Sequence, residues 1–131
     1  MKYMLLMSGT KAAFEDFTKW SKEDLRANMA FMRAFSKQLD EEGVFVATEG
    51  LAFPLEAKMV RAGADGQPIT DGVFPESKEF LAGYWIIDVE SAEQAYRIAA
   101  RASAAPGPGG QRGSMPIEVR QIISSAPKEL L

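Results

Sequence analysis

Tyr84, Trp85, Ile86, Ile87 and Val89 place large apolar side chains on both alternations of a single short run. Side chains alternate across a strand, so this run is predicted to need covering on both faces and to lie inside a sheet. The cover for one face follows at once. Ser91 with Gln94 three positions later reads as a helix start of the capping-box type, and Ala95, Ile98, Ala99 and Ala102 then mark one helical face. Small alanines on that face permit close approach of helix to sheet.

The N-terminal half repeats the arrangement. Residues 2–7 form an apolar run closed by Ser8, Gly9 and Thr10, the pattern of a central strand. Residues 11–19 carry Phe14 and Phe17 among polar side chains. Ser21 and Asp24 supply a second helix start, and Leu25, Met29, Met32, Phe35 and Leu39 recur at three- and four-residue intervals, so all five are expected in the core. Gly43 ends that helix. Residues 44–51 read as the next strand, interrupted by Pro54. Residues 57–62 and 67–70, joined by Asp65-Gly66, read as a β-ribbon, and Asp71-Gly72 reads as a further turn.

Residues 104–113 hold Pro106, Pro108 and four glycines, a composition expected to remain a mobile loop. The last strand is expected over 116–123, with Ile117, Val119 and Ile123 on one alternation. Residues 124–131 are expected to be a tail, leaving one domain over 1–131 with its core within 1–123.

Strand, helix, strand, ribbon, strand, helix, strand amounts to two βαβ units split by an insertion. Right-handed crossovers place both helices on one face of a largely antiparallel sheet, which predicts an α+β, ferredoxin-like sandwich. The other face of the sheet is left apolar and in want of a partner, so a homodimer is expected.

Composition removes several classes of chemistry. The chain has neither cysteine nor histidine, so disulfides, thiolate nucleophiles and the common nitrogen and sulfur metal ligands are excluded. No metal and no cofactor is expected. Fifteen basic and 18 acidic side chains give a net charge of −3 with no long block of one sign, which disfavours nucleic-acid binding. The opening apolar run is far shorter than the ~20 residues of a membrane span. A cytoplasmic protein with no membrane partner is the expectation.

Several motifs, in order along the chain, resemble those of the YCII-related, or DGPF, family. The opening Met1-Lys2-Tyr3-Met4-Leu5-Leu6-Met7 resembles the family's first strand, and Asp71-Gly72-Val73-Phe74 resembles its name-giving motif, continued by Glu76, Lys78 and Glu79. Glu49-Gly50-Leu51, Arg61, Gly83-Tyr84-Trp85 and Ile117-Glu118-Val119-Arg120 also match its pattern. The chain departs from it at Val73, where proline is usual, and at Pro75. The resemblance implies a dimeric α/β-barrel assembly of ferredoxin-like subunits, in a family sometimes found with extracytoplasmic-function sigma factors. Some relatives are thought to use a histidine and aspartate pair, and this chain has no histidine to supply it.

Asp71 is therefore the candidate catalytic residue, with a turn-forming role as its alternative. Glu49, Arg61, Glu118 and Arg120 are candidates for a polar ligand site, an arginine offering a planar fork to an anion, with cross-strand ion pairing as the alternative. Tyr84 and Trp85 are candidates for an aromatic wall, and one of them must point away from the helices. A homodimeric small-molecule-binding or regulatory protein is the first functional expectation. A lyase- or isomerase-type enzyme using Asp71 on a small polar or aromatic substrate is the second, and an interaction module linked to sigma-factor transcription the third.

Overall fold

A computed structural model describes residues 1–72 and 79–123. Strand β1 (Lys2–Thr10) runs directly into a short helix α1 (Lys11–Phe17), and the long helix α2 (Lys22–Glu41) leads to β2 (Phe45–Gly50). A ribbon of β3 (Lys58–Ala62) and β4 (Pro68–Gly72) precedes β5 (Glu79–Asp88), helix α3 (Ala92–Ser103) and β6 (Ile117–Gln121).

The helix starts are set by the predicted caps. The Ser21 hydroxyl accepts the Asp24 N–H at 3.1 Å, and Glu23 and Asp24 put negative charge in the first turn, where the helix dipole favours it. Ser91 accepts the Gln94 N–H at 3.2 Å, while the Gln94 side chain accepts from the Glu90 N–H at 3.1 Å. Gly43, at φ +75°, turns the chain out of α2 in a backbone conformation that a side chain would strain.

The main sheet has the order β2-β5-β1-β6, and each neighbouring pair is antiparallel. The two longest strands occupy the centre, as the apolar runs require. One face carries Tyr3, Leu5, Trp85 and Ile87, which pack with Phe35 and Leu39 of α2 and Ala95, Ile98, Ala99 and Ala102 of α3 in a single core. This is a ferredoxin-like α+β fold with both long helices on one side. Gly83 lets β2 approach β5 closely, since a Cβ there would lie 2.9 Å from the Glu49 carbonyl oxygen. Among the described residues, no helix is long and apolar enough to cross a membrane.

Four expectations need correction. Helix α1 was not foreseen: at seven residues it is too short to be stable alone. Thr10 caps it, and a ring cluster of Phe14, Phe17, Trp20 and Phe53 holds it, with centroid separations of 4.8–6.1 Å. Met29 is 54% exposed, so the buried stripe of α2 narrows to its C-terminal half and shifts to include the half-buried Phe31 beside Met32. Ile123 lies beyond β6 and is exposed, because the strand ends at Gln121.

The fourth concerns the Gly/Pro segment, which is a hydrogen-bonded loop. Asn28 of α2 donates to the Pro106 carbonyl at 3.0 Å, the Gly109 N–H donates to Asp24 at 3.3 Å, and Gly107 is buried against Trp20. Within the loop, the Gly107 N–H meets the Gln111 carbonyl at 2.6 Å and the Gly113 N–H meets that of Ala105 at 2.9 Å. Polar anchoring of backbone groups fixes a segment that apolar burial alone would not. The predicted tail at 124–131 lies outside the described residues.

Candidate functional site

The sheet face turned away from the helices gathers most of the predicted site residues. Antiparallel register aligns Glu49, Tyr84, Leu6 and Glu118 in one row across β2, β5, β1 and β6, and Ala47, Ile86, Met4 and Arg120 in the adjacent row. Each row has an apolar middle. Tyr84, Leu6, Ile86 and Met4 are half-buried, whereas Glu49, Glu118 and Arg120 at the two edges are exposed. A register shift between Phe45 and Ala47 leaves Val46 outside this pairing.

The polar residues bound this floor and do not converge upon it. Three inter-strand spacings separate β2 from β6, so Glu49 stands about 14 Å from Glu118. Glu118 and Arg120 lie two residues apart on one strand and form an ion pair at 3.4 Å. Both are solvated, which makes the pair worth little on its own. This pair runs along one strand, not across two as expected. Thr48, which turns its hydroxyl to the Tyr84 carbonyl at 2.9 Å, ties the edge strand to the Tyr84 backbone.

Trp85 is not part of this face. It points to the helices, is buried, and meets Phe35 edge to face with ring centroids 5.5 Å apart, so it belongs to the core. Tyr84 is the member of the aromatic pair that points outward, as strand alternation requires. Met4, Leu6 and Ile86 were not singled out as site residues. Their signal was the apolar second alternation of the two central strands, which marks a face and not a chemistry.

Arg61 and Asp71 lie elsewhere, on the ribbon. Asp71 is inside β4 opposite Met59, so it is a strand residue and not a turn-former. Its carboxylate is 3.8 Å from the Arg61 guanidinium, with the two side chains 61% and 66% exposed. Val73, Phe74, Glu76 and Lys78 of the DGxF segment lie outside the described residues, and Glu79 opens β5.

Two concavities lie apart from all of these residues. A cleft of about 80 Å³ runs between Phe14 of α1 and the Phe53–Leu55 turn, and an open basin of about 330 Å³ lies by Arg97 and Arg101. Arg101 there is committed to Glu42 by two hydrogen bonds of 3.0 and 3.1 Å. Among the described residues, no group of three or more Asp or Glu is placed to hold a metal ion. The sheet face offers an apolar floor with charged groups at either edge.

None of the curated proteins compared with this chain matches it. The YCII-related domain matches residues 1–112, from β1 through the hydrogen-bonded loop. That span includes Glu49, Arg61, Asp71 and Tyr84 and stops short of β6 with Glu118 and Arg120. With the match extending over most of its length, the chain belongs to the YCII-related family.

Proposed function

We propose that this protein is a homodimeric small-molecule-binding or regulatory protein whose ligand lies on the open face of the sheet. The observation that supports the reading is the pair of in-register rows, each with an apolar middle, one ending in Glu49 and Glu118 and the other in Ala47 and Arg120. An antiparallel sheet with one face on the core ordinarily carries polar residues on the other, and Met4, Leu6, Tyr84 and Ile86 break that rule together. A twofold arrangement of two such faces shields both floors from solvent and encloses the ligand between them, with Glu49 and Arg120 at the rim. The ligand class that suits this surface is a small aromatic or apolar molecule with a polar substituent.

The test is melting temperature measured against a metabolite library, since a ligand that binds only the folded form must raise it. A compound that stabilises the wild type but not Tyr84→Ala supports the reading. A compound that stabilises both equally places the ligand elsewhere and overturns it.

A second reading, a lyase- or isomerase-type enzyme, draws on the carboxylate of Asp71 beside the guanidinium of Arg61. Both side chains are largely exposed, so this reading requires a substrate that covers them. Turnover of any substrate that is lost in Asp71→Asn while folding is retained would favour this reading.

A further inference from the structure

In the β3–β4 ribbon, residues 58–62 and 68–71 are exposed, on both faces. An isolated two-stranded ribbon is at best marginally stable in water, because it has no apolar layer to lie on. Here it nevertheless displays Met59, 61% exposed, and Ile69, 40% exposed, where a solvated ribbon would carry polar groups. Val60 is exposed on its other face, and Leu51, Phe53 and Leu55, all exposed, lead into it. Exposed apolar side chains grouped on one face and rimmed by charge are what an interaction surface carries.

The register of one ribbon face says what covers it. Met59 is opposite Asp71, and Arg61 is opposite Ile69, so these four side chains make a square of two adjacent rows. The apolar pair, Met59 and Ile69, occupies one diagonal, and the charged pair, Arg61 and Asp71, occupies the other. Rotate a second copy of the square by 180° about the apolar diagonal and lay it on the first. Met59 then meets Met59, Ile69 meets Ile69, and each Arg61 meets an Asp71 of the other chain. With strands ~4.8 Å apart and alternate residues ~6.8 Å apart along a strand, the diagonal lies about 35° from the strand direction, so the two ribbons cross at roughly 70°. A twofold axis along the charged diagonal would instead stack like charge on like. Axes along or across the strands would set each charge on an apolar side chain. The face is thus self-complementary in both shape class and charge under one twofold operation, the property that an isologous contact needs.

We infer that the Met59–Ile69 face of the ribbon is a self-association surface, occupied by the same ribbon of a second copy of this chain. Arg61 and Asp71 set its register by pairing between chains. Within one chain they sit 3.8 Å apart, a separation too long for a hydrogen bond, and both remain available to a partner. The inference goes beyond the ligand reading and does not rest on the open sheet face. Where the two surfaces share one twofold axis the protein is a dimer, and where they do not it is a tetramer.

A complementary charge exchange tests it. Arg61→Asp leaves two carboxylates on each face, and Asp71→Arg leaves two guanidiniums. Each variant alone is expected to weaken ribbon-mediated association at least tenfold in sedimentation velocity, seen as loss of one association step relative to the wild type. Mixed in equal amounts, the two variants are expected to recover that step as a one-to-one assembly, detected by differently labelled chains. Within each chain the like charges persist on mixing, so recovery can come only from pairing between chains. The inference is overturned if both variants associate as the wild type does, if mixing restores nothing, or if the wild type has no association step that Met59→Asp removes. Tyr84→Arg, on the open sheet face, serves as the separating control. Loss of association in that variant with the ribbon variants unaffected would support the sheet contact and sink the ribbon contact.

Discussion

Gly83 shows how much one missing methyl group decides in this molecule. The strand β2 is pressed so closely against β5 at this point that a Cβ on residue 83 would meet the Glu49 carbonyl oxygen at 2.9 Å. Gly83→Ala is therefore expected to push the Glu49 edge outward and to cost about 1–3 kcal/mol, the usual penalty of overpacking a rigid contact. Urea denaturation measures it, and a cost below 0.5 kcal/mol would show that the edge strand yields freely. Helix positions separate as sharply. Ile98 is in the core, and Ile98→Asp would bury an unpaired charge, so loss of the folded state is expected at room temperature. Met29 had the spacing of a core residue but faces water between Arg26 and Arg33. Met29→Glu creates a favourable pair with Arg33 one turn on and is expected to be neutral or to stabilise by about 0.2–0.5 kcal/mol in the same assay. A loss above 1 kcal/mol would return Met29 to the core.

Among elements, the ones with local signals were legible. Ser21 and Ser91 carry caps that do in the structure what their spacing implied, and the apolar run from residue 84 lies in β5, which starts earlier at Glu79 and ends at Asp88. Helix α1 was not legible, because its stability comes from Phe53, some forty residues on, and not from its own seven. The loop at 104–113 was misread for a related reason. Its anchors are Asn28 and Asp24, polar residues in another element, and composition cannot see a hydrogen bond between distant segments. Asn28→Ala removes one of these bonds and leaves the Pro106 carbonyl without it. A stability loss of about 1 kcal/mol is expected, accompanied by faster hydrogen exchange at Gly107 and Gly113. Unchanged exchange at those two amides would mean that the loop holds itself.

At the scale of the whole molecule, the succession of strands and helices was enough to read the α+β class, while the order β2-β5-β1-β6 was set by pairings that the sequence did not specify. The site could not be read so far. Glu49, Tyr84, Glu118 and Arg120 share a face, but register, which a sequence does not state, is what sets the charged residues on opposite edges of an apolar floor. Arg61 was grouped with the polar candidates by type and falls on the ribbon instead, near the separate candidate Asp71. The proposed homodimer carries its own expectation. Tyr84→Arg should place a charge within that contact and dissociate it while the far-ultraviolet circular dichroism stays unchanged, and a dimer that survives the substitution would rule out this face as the contact.

The two tryptophans occupy different structural units, and this makes the chain its own optical instrument. Trp85 is locked between sheet and α2, whereas Trp20 underlies Gly107 in the loop, and the indole N–H of each is buried without a hydrogen-bond acceptor among the described residues. An indole so placed emits toward the blue and shifts to the red when water reaches it. Emission from Trp20 thus reports lifting of the loop, and emission from Trp85 reports loss of the core. In Trp20→Phe the early, loop-linked part of a denaturation curve should vanish, leaving one transition that coincides with the loss of helical dichroism. A protein whose two indoles answer to different events needs no attached dye for local opening to be distinguished from global unfolding.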